Sequence, residues 1–172
     1  MNTNRLTQKS VEAVQNAQSI AVEYSNQTLQ PEHLLLSLLS QQDSLNAQLL
    51  TRMGVDINSF MQNVTSIIAQ LPKVTASREA DKVYISAQLD AALNSAEQTA
   101  QQMKDEYISV EHLALGLIDT ASGKLKELFR LFSVDRNGFL RALQEVRGNT
   151  RVTTDNPEGT YDALAKYGQD LV

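Results

Sequence analysis

The chain has 172 residues and is 42% hydrophobic, enough apolar side chain to close one compact core or two small lobes. A formal net charge of −5 and basic residues that gather into no stripe argue against a nucleic-acid partner. The absence of cysteine removes disulfides and thiolate metal sites and favours a cytoplasmic setting, and no apolar run is long enough to span a membrane.

Leu6, Ala13, Ala17, Ile20, Ala21 and Tyr24 recur at intervals of three and four residues, which predicts a first amphipathic helix over 4–25. Pro31 suits the first position of a second helix over 31–41, and Glu32 complements its dipole. Asp43 or Ser44 can cap a third helix carrying Leu45, Leu49 and Leu50, which Gly54 can end in a left-handed conformation. Asp56 can cap a fourth, presenting Phe60, Val64, Ile67 and Ile68 and stopping before Pro72.

The same plan then returns. A shift of 79 residues superimposes Leu6–Ile67 on Ile85–Val146 without a gap. Glu32-His33-Leu34-x-Leu36-x-Leu38 reappears as Glu111-His112-Leu113-x-Leu115-x-Leu117, and Val55-Asp56-x-Asn58-x-Phe60 as Val134-Asp135-x-Asn137-x-Phe139. Helices are therefore expected over 83–104, 110–120, 123–132 and 136–147, the last three capped by Ser109, Ser122 and Asp135. The fold class is all-α: two pseudo-twofold related repeats of four helices, eight in all. Residues 1–70 form the first repeat, 71–82 an aperiodic inter-repeat linker and 83–147 the second repeat. Residues 148–172 form a polar linker rich in Gly, Asn, Thr and Asp, followed by the start of another helical pattern that breaks off at Val172; a continuation is expected. Ala13, Ala17 and Ala21, with Ala92, Ala96 and Ala100, are read as positions of close helix approach.

Catalytic chemistry finds no home in this pattern. His33 and His112 occupy equivalent places just inside a helix start, but two imidazoles in separate copies fall short of the three or four converging ligands a metal needs, and bracing the entering loop is the better reading. A phosphate-cradling loop requires Gly-Lys followed by Ser or Thr, whereas Gly123-Lys124 is followed by Leu125. Two copies of a helical unit without reactive groups suggest a body that binds across shared surfaces.

The repeated Glu-His-Leu opening, the segment Asn4-Arg5-Leu6-Thr7, the run Gln30-Pro31-Glu32-His33-Leu34-Leu35 and the tail Ala163-Leu164-Ala165-Lys166-Tyr167-Gly168-Gln169-Asp170-Leu171 resemble the Clp N-terminal repeat domain at the front of Clp-type AAA+ unfoldases. Within that family they look like the ClpB branch, the ATP-driven disaggregases. The resemblance implies a domain tethered to a hexameric ATPase ring, itself monomeric when isolated, that captures unfolded or aggregated polypeptides and passes them to the ring. It implies no cofactor for these residues; ATP and magnesium belong to ATPase modules beyond them. It also implies a substrate-handling role for Thr7, Asp105 and Glu111, whose ordinary readings are a helix cap, a solvated loop acid and a dipole-complementing acid. Val14 and Leu93, apolar in both copies where their neighbours differ, are the groove candidates, with an ordinary core role as the leading alternative for each, and Ser95 and Thr99 stand where family members often carry leucine. The alternatives are the N-domain of a Clp protease unfoldase that docks adaptors, and a helical metal or ligand protein using His33 and His112.

Overall fold

The computed structural model describes residues 5–74 and 83–148. The eight expected helices are present: α1 (Gln8–Glu23), α2 (Pro31–Ser40), α3 (Leu45–Arg52), α4 (Ile57–Ala69), α5 (Ala87–Gln102), α6 (Val110–Thr120), α7 (Gly123–Leu131) and α8 (Arg136–Arg147). Side-chain oxygens cap five of them. Thr7, Ser44, Asp56, Ser86 and Asp135 each accept from the amide three residues on, satisfying donors that the first turn leaves without an intrahelical partner. Ser44 rather than Asp43 caps α3, and Ser122 occupies the cap position of α7 without a side-chain bond to it. Gly54 takes φ +88° just past α3, as expected of a residue free of a β-carbon.

Helices α1 and α5 begin later than the periodicity suggested, because Leu6 before α1 forms a bridge and Tyr84–Ile85 before α5 form a strand. Short β1 (Thr28–Leu29) and β2 (Tyr84–Ile85) pair in parallel, with Leu29 opposite Ile85, and an isolated parallel bridge joins Leu6 to Ile108. These two pairings exchange under the 79-residue shift: Leu6 corresponds to Ile85, and Leu29 to Ile108. Their hydrogen bonds match as well, Thr7 N–H donating to the Ile108 carbonyl at 3.0 Å and Ser86 N–H to that of Leu29 at 3.1 Å. Each copy thus lends the segment before its first helix to the segment before the other copy's second helix. That reciprocity is a twofold relation, and it knits the halves into one body.

The core is built around α2 and α6, which are apolar on nearly every side and therefore need cover all round. Leu34, Leu35, Leu38 and Leu39 of α2 are buried, as is every residue of α6 from Val110 to Leu117. The six small residues expected at close approaches, Ala13, Ala17, Ala21, Ala92, Ala96 and Ala100, are all buried. The copies differ where α6 meets α5. Ser37 of α2 donates from Oγ to the Ala13 carbonyl at 2.6 Å, whereas its counterpart Gly116 brings the α6 backbone so close to α5 that an added β-carbon would lie 2.2 Å from the Ala92 carbonyl oxygen. Among the described residues no helix is long and apolar enough to cross a membrane. The expectations for residues 75–82 and 149–172 lie outside the described residues.

Candidate substrate-binding site

The repeated histidines define the polar skeleton of each copy. Nδ1 of His33 accepts from the Gln30 amide at 2.9 Å, which places the ring proton on Nε2, where it donates to Asn26 Oδ1 at 2.8 Å. Nδ1 of His112 likewise accepts from the Ser109 amide at 2.9 Å, and Nε2 donates to Asp105 Oδ2 at 2.7 Å. Each imidazole therefore caps its own helix backwards and reaches across to a residue just past the end of the preceding helix. Both ring nitrogens are engaged, and both rings are fully buried, so neither offers a lone pair to a metal. Among the described residues no cluster of three or more His, Asp or Glu could hold a metal ion. Burial pushes His33 down to about 4, because its charged form would lose hydration with no compensating anion. Glu32, at the same helix start, is raised, chiefly by burial.

Thr7, Asp105 and Glu111 all lie beneath the surface. Thr7 caps α1, its Oγ1 donating to Ser10 Oγ at 3.0 Å while Ser10 Oγ donates to the Ile108 carbonyl at 2.9 Å. This ties the start of α1 to the strand residue that leads into α6. Asp105 is not the solvated loop acid of the ordinary reading: it is 4% exposed, bonded to His112 and ion-paired with Arg147. Glu111 is 0% exposed, and neither carboxylate oxygen has a hydrogen-bond partner; Arg147 Nη1 stands 3.8 Å from Oε2. The structure brings Asp105 and Glu111 together through Arg147.

Arg147 closes helix α8 as a buried residue, although its neighbours in sequence read as the opening of a polar linker. Its counterpart in the first copy is Ile68, and that of Asp105 is Asn26. This paired departure from the repeat was the available signal for the cluster. Of the groove candidates, Val14 is half-buried against the core and Leu93 is buried; Thr99 is buried too. Among the described residues, the large apolar side chains that face solvent are Val22 on α1, Tyr84 and Ile85 on β2, and Leu131 at the end of α7. Ile85 is 50% exposed whereas its counterpart Leu6 is 8% exposed, an asymmetry that helical periodicity could not register. Gly123 and Lys124 open α7 with no strand before them, and the Lys124 ammonium is bonded to Gln70, so these residues do not fit a nucleotide phosphate.

A family model for the Clp repeat (R) N-terminal domain matches residues 5–153. The chain belongs to this family. It is 43% identical over its whole length to the chaperone protein ClpB of Bacillus anthracis and 37% identical to that of Clostridium tetani. It spans about 20% of the length of either relative. Among solved structures it is similar to the Hsp104 N-terminal domain from Candida albicans, at a TM-score of 0.77 and 21% identity, over 88% of this chain and 97% of that one. It also matches the N-terminal domain of the caseinolytic protease associated chaperone ClpD from Arabidopsis thaliana, at a TM-score of 0.66 and 22% identity, over 86% and 98%. Both confirm the all-α Clp N-domain fold.

Proposed function

We propose that the chain is the client-capturing domain of a ClpB-type disaggregase, holding unfolded or aggregated polypeptide and handing it to an ATPase ring in the cytoplasm. The observation that carries this reading is the match of the whole chain to about one fifth of the length of the ClpB chaperones. ATP, magnesium and the hexameric ring belong to the remaining four fifths; the chain's own part is binding.

The client surface is assigned to the ground over the α1, α5 and α6 junction. Val14 and Val22 supply accessible apolar area on α1, and Tyr84 and Ile85 supply more before α5. Extended, unfolded segments suit such a surface because their exposed apolar side chains need cover and their sequences need no specific partner. Thr7, Asp105, Glu111 and Leu93 act from beneath, fixing where α1 and α6 begin and how α5 lies on α6. A chemical-shift titration of the chain with a permanently unfolded client tests the assignment. Perturbations should gather on α1, α5 and the start of α6; no perturbation at high client concentration would reject this surface as the main contact.

A further inference from the structure

The second copy carries a buried charge cluster for which the first copy finds a neutral solution. Asn26, 2% exposed, becomes Asp105, and the fully buried Ile68 becomes Arg147. The fold itself does not demand charge here, since the first copy closes the same position with an amide and an aliphatic side chain. Buried ion pairs also gain little over apolar packing once their lost hydration is counted. Their distinctive property is direction: a guanidinium held between carboxylates has one geometry, and leaving it strands uncompensated charges.

Residue 26 and its counterpart 105 share a second task. In the first copy the Asn26 amide donates from Nδ2 to the Pro72 carbonyl at 3.1 Å, and Val74 N–H donates to the Ser25 carbonyl at 2.7 Å, so the chain leaving α4 is held against the loop before α2. A carboxylate cannot donate such a bond. In the second copy the direction is reversed: Arg147, the last residue of α8, donates from Nη2 to Asp105 Oδ1, with Nη1 4.0 Å from Met103 Sδ and 3.8 Å from Glu111 Oε2. Gly148 then turns at φ +59°.

We propose that Arg147 is a positioning residue, and that its pair with Asp105 is a latch fastening the end of α8 to the loop entering α6. The last turn of a helix ordinarily frays, because its final carbonyls have no partners within the helix. Here the guanidinium pins that turn, so the end of α8 and the N-terminus of α6 move as one piece. Glu111, buried beside the same guanidinium, keeps Arg147 on this side of the cluster.

The double variant Asp105→Asn/Arg147→Ile installs the residue types of the first copy and removes the latch. Measured by hydrogen exchange on the whole chain, amides from Val146 to Gly148 should exchange about tenfold faster or more, with Leu113–Leu117 of α6 unchanged. Unchanged protection at the end of α8 would overturn the proposal, as would a uniform loss across α5 to α8, which marks plain destabilisation. A second measurement uses the unaltered chain and needs no variant to fold. Separate, slowly rotating Nη–H resonances for Arg147 would support the latch, and a single averaged signal would overturn it. Neither readout involves a client, so failure here is distinct from failure of the capture reading.

Discussion

His112 donates from Nε2 to Asp105 at 2.7 Å with both side chains sealed from solvent, and His33 makes the same bond to Asn26 at 2.8 Å. One geometry therefore serves two chemistries, amide in the first copy and carboxylate in the second. The carboxylate brings a buried arginine with it, and that exchange is one of the places where the two halves of the duplication part.

The two ends of the pair should not cost the same when removed singly, because Asp105 and Arg147 are left with different neighbours. Arg147→Ile leaves Asp105 without its cation and is expected to destabilise the chain by about 3–5 kcal/mol, the usual cost of stranding a buried charge. Asp105→Asn leaves Arg147 with Glu111 as its remaining carboxylate and should cost less. The double variant should recover a coupling of about 1–3 kcal/mol relative to the sum of the singles. Urea unfolding of the four proteins closes this cycle; strict additivity would show that the two residues act independently.

His33 makes stability depend on pH. Its folded-state value of about 4 lies below its ordinary 6.5, so the unfolded chain binds a proton that the folded chain refuses. Stability from this group is complete above pH 6.5 and is lost as pH falls toward 4, by at most about 3 kcal/mol. Glu32 works in the opposite sense: its raised value favours the folded state in acid and the benefit fades as pH rises through it. An NMR titration should show the His33 ring uncharged at pH 5.5, and denaturant midpoints should fall between pH 7 and pH 5.

Gly116 is a position where even one methyl is too much. Its β-carbon would meet the Ala92 carbonyl, which is backbone and cannot rotate away, so α6 must move off α5. Gly116→Ala is expected to cost about 1–3 kcal/mol despite its better helix propensity. The reverse exchange in the first copy, Ser37→Gly, forfeits a hydrogen bond without a clash and should cost about 1 kcal/mol. Chemical denaturation of the two variants compares the interfaces directly.

Ser133 holds φ +58° where its counterpart Gly54 holds +88°. A serine in the left-handed region carries steric strain between its β-carbon and the backbone that glycine lacks. Ser133→Gly should therefore raise stability by about 1 kcal/mol, read as a higher thermal midpoint; an unchanged or lower midpoint would show that the lost side chain mattered more than the strain.

Much of this protein was legible in one dimension. Repetition every 79 residues, three-and-four spacing of Leu and Ala, and caps such as Asp56 and Asp135 locate eight helices, because those signals depend on backbone geometry within a few residues. The strand pairings Leu29 with Ile85 and Leu6 with Ile108 were not legible, since two-residue strands have no period and their partners come from the other copy. Burial was likewise undecided. Thr7, Asp105 and Glu111 are polar in sequence and inaccessible in space, because burying a polar group depends on which donors and charges the fold delivers to it. Arg147 shows the division most plainly: its sequence neighbours read as polar linker, and only the approach of α8 to the loop before α6 gave its charge a partner and a place inside.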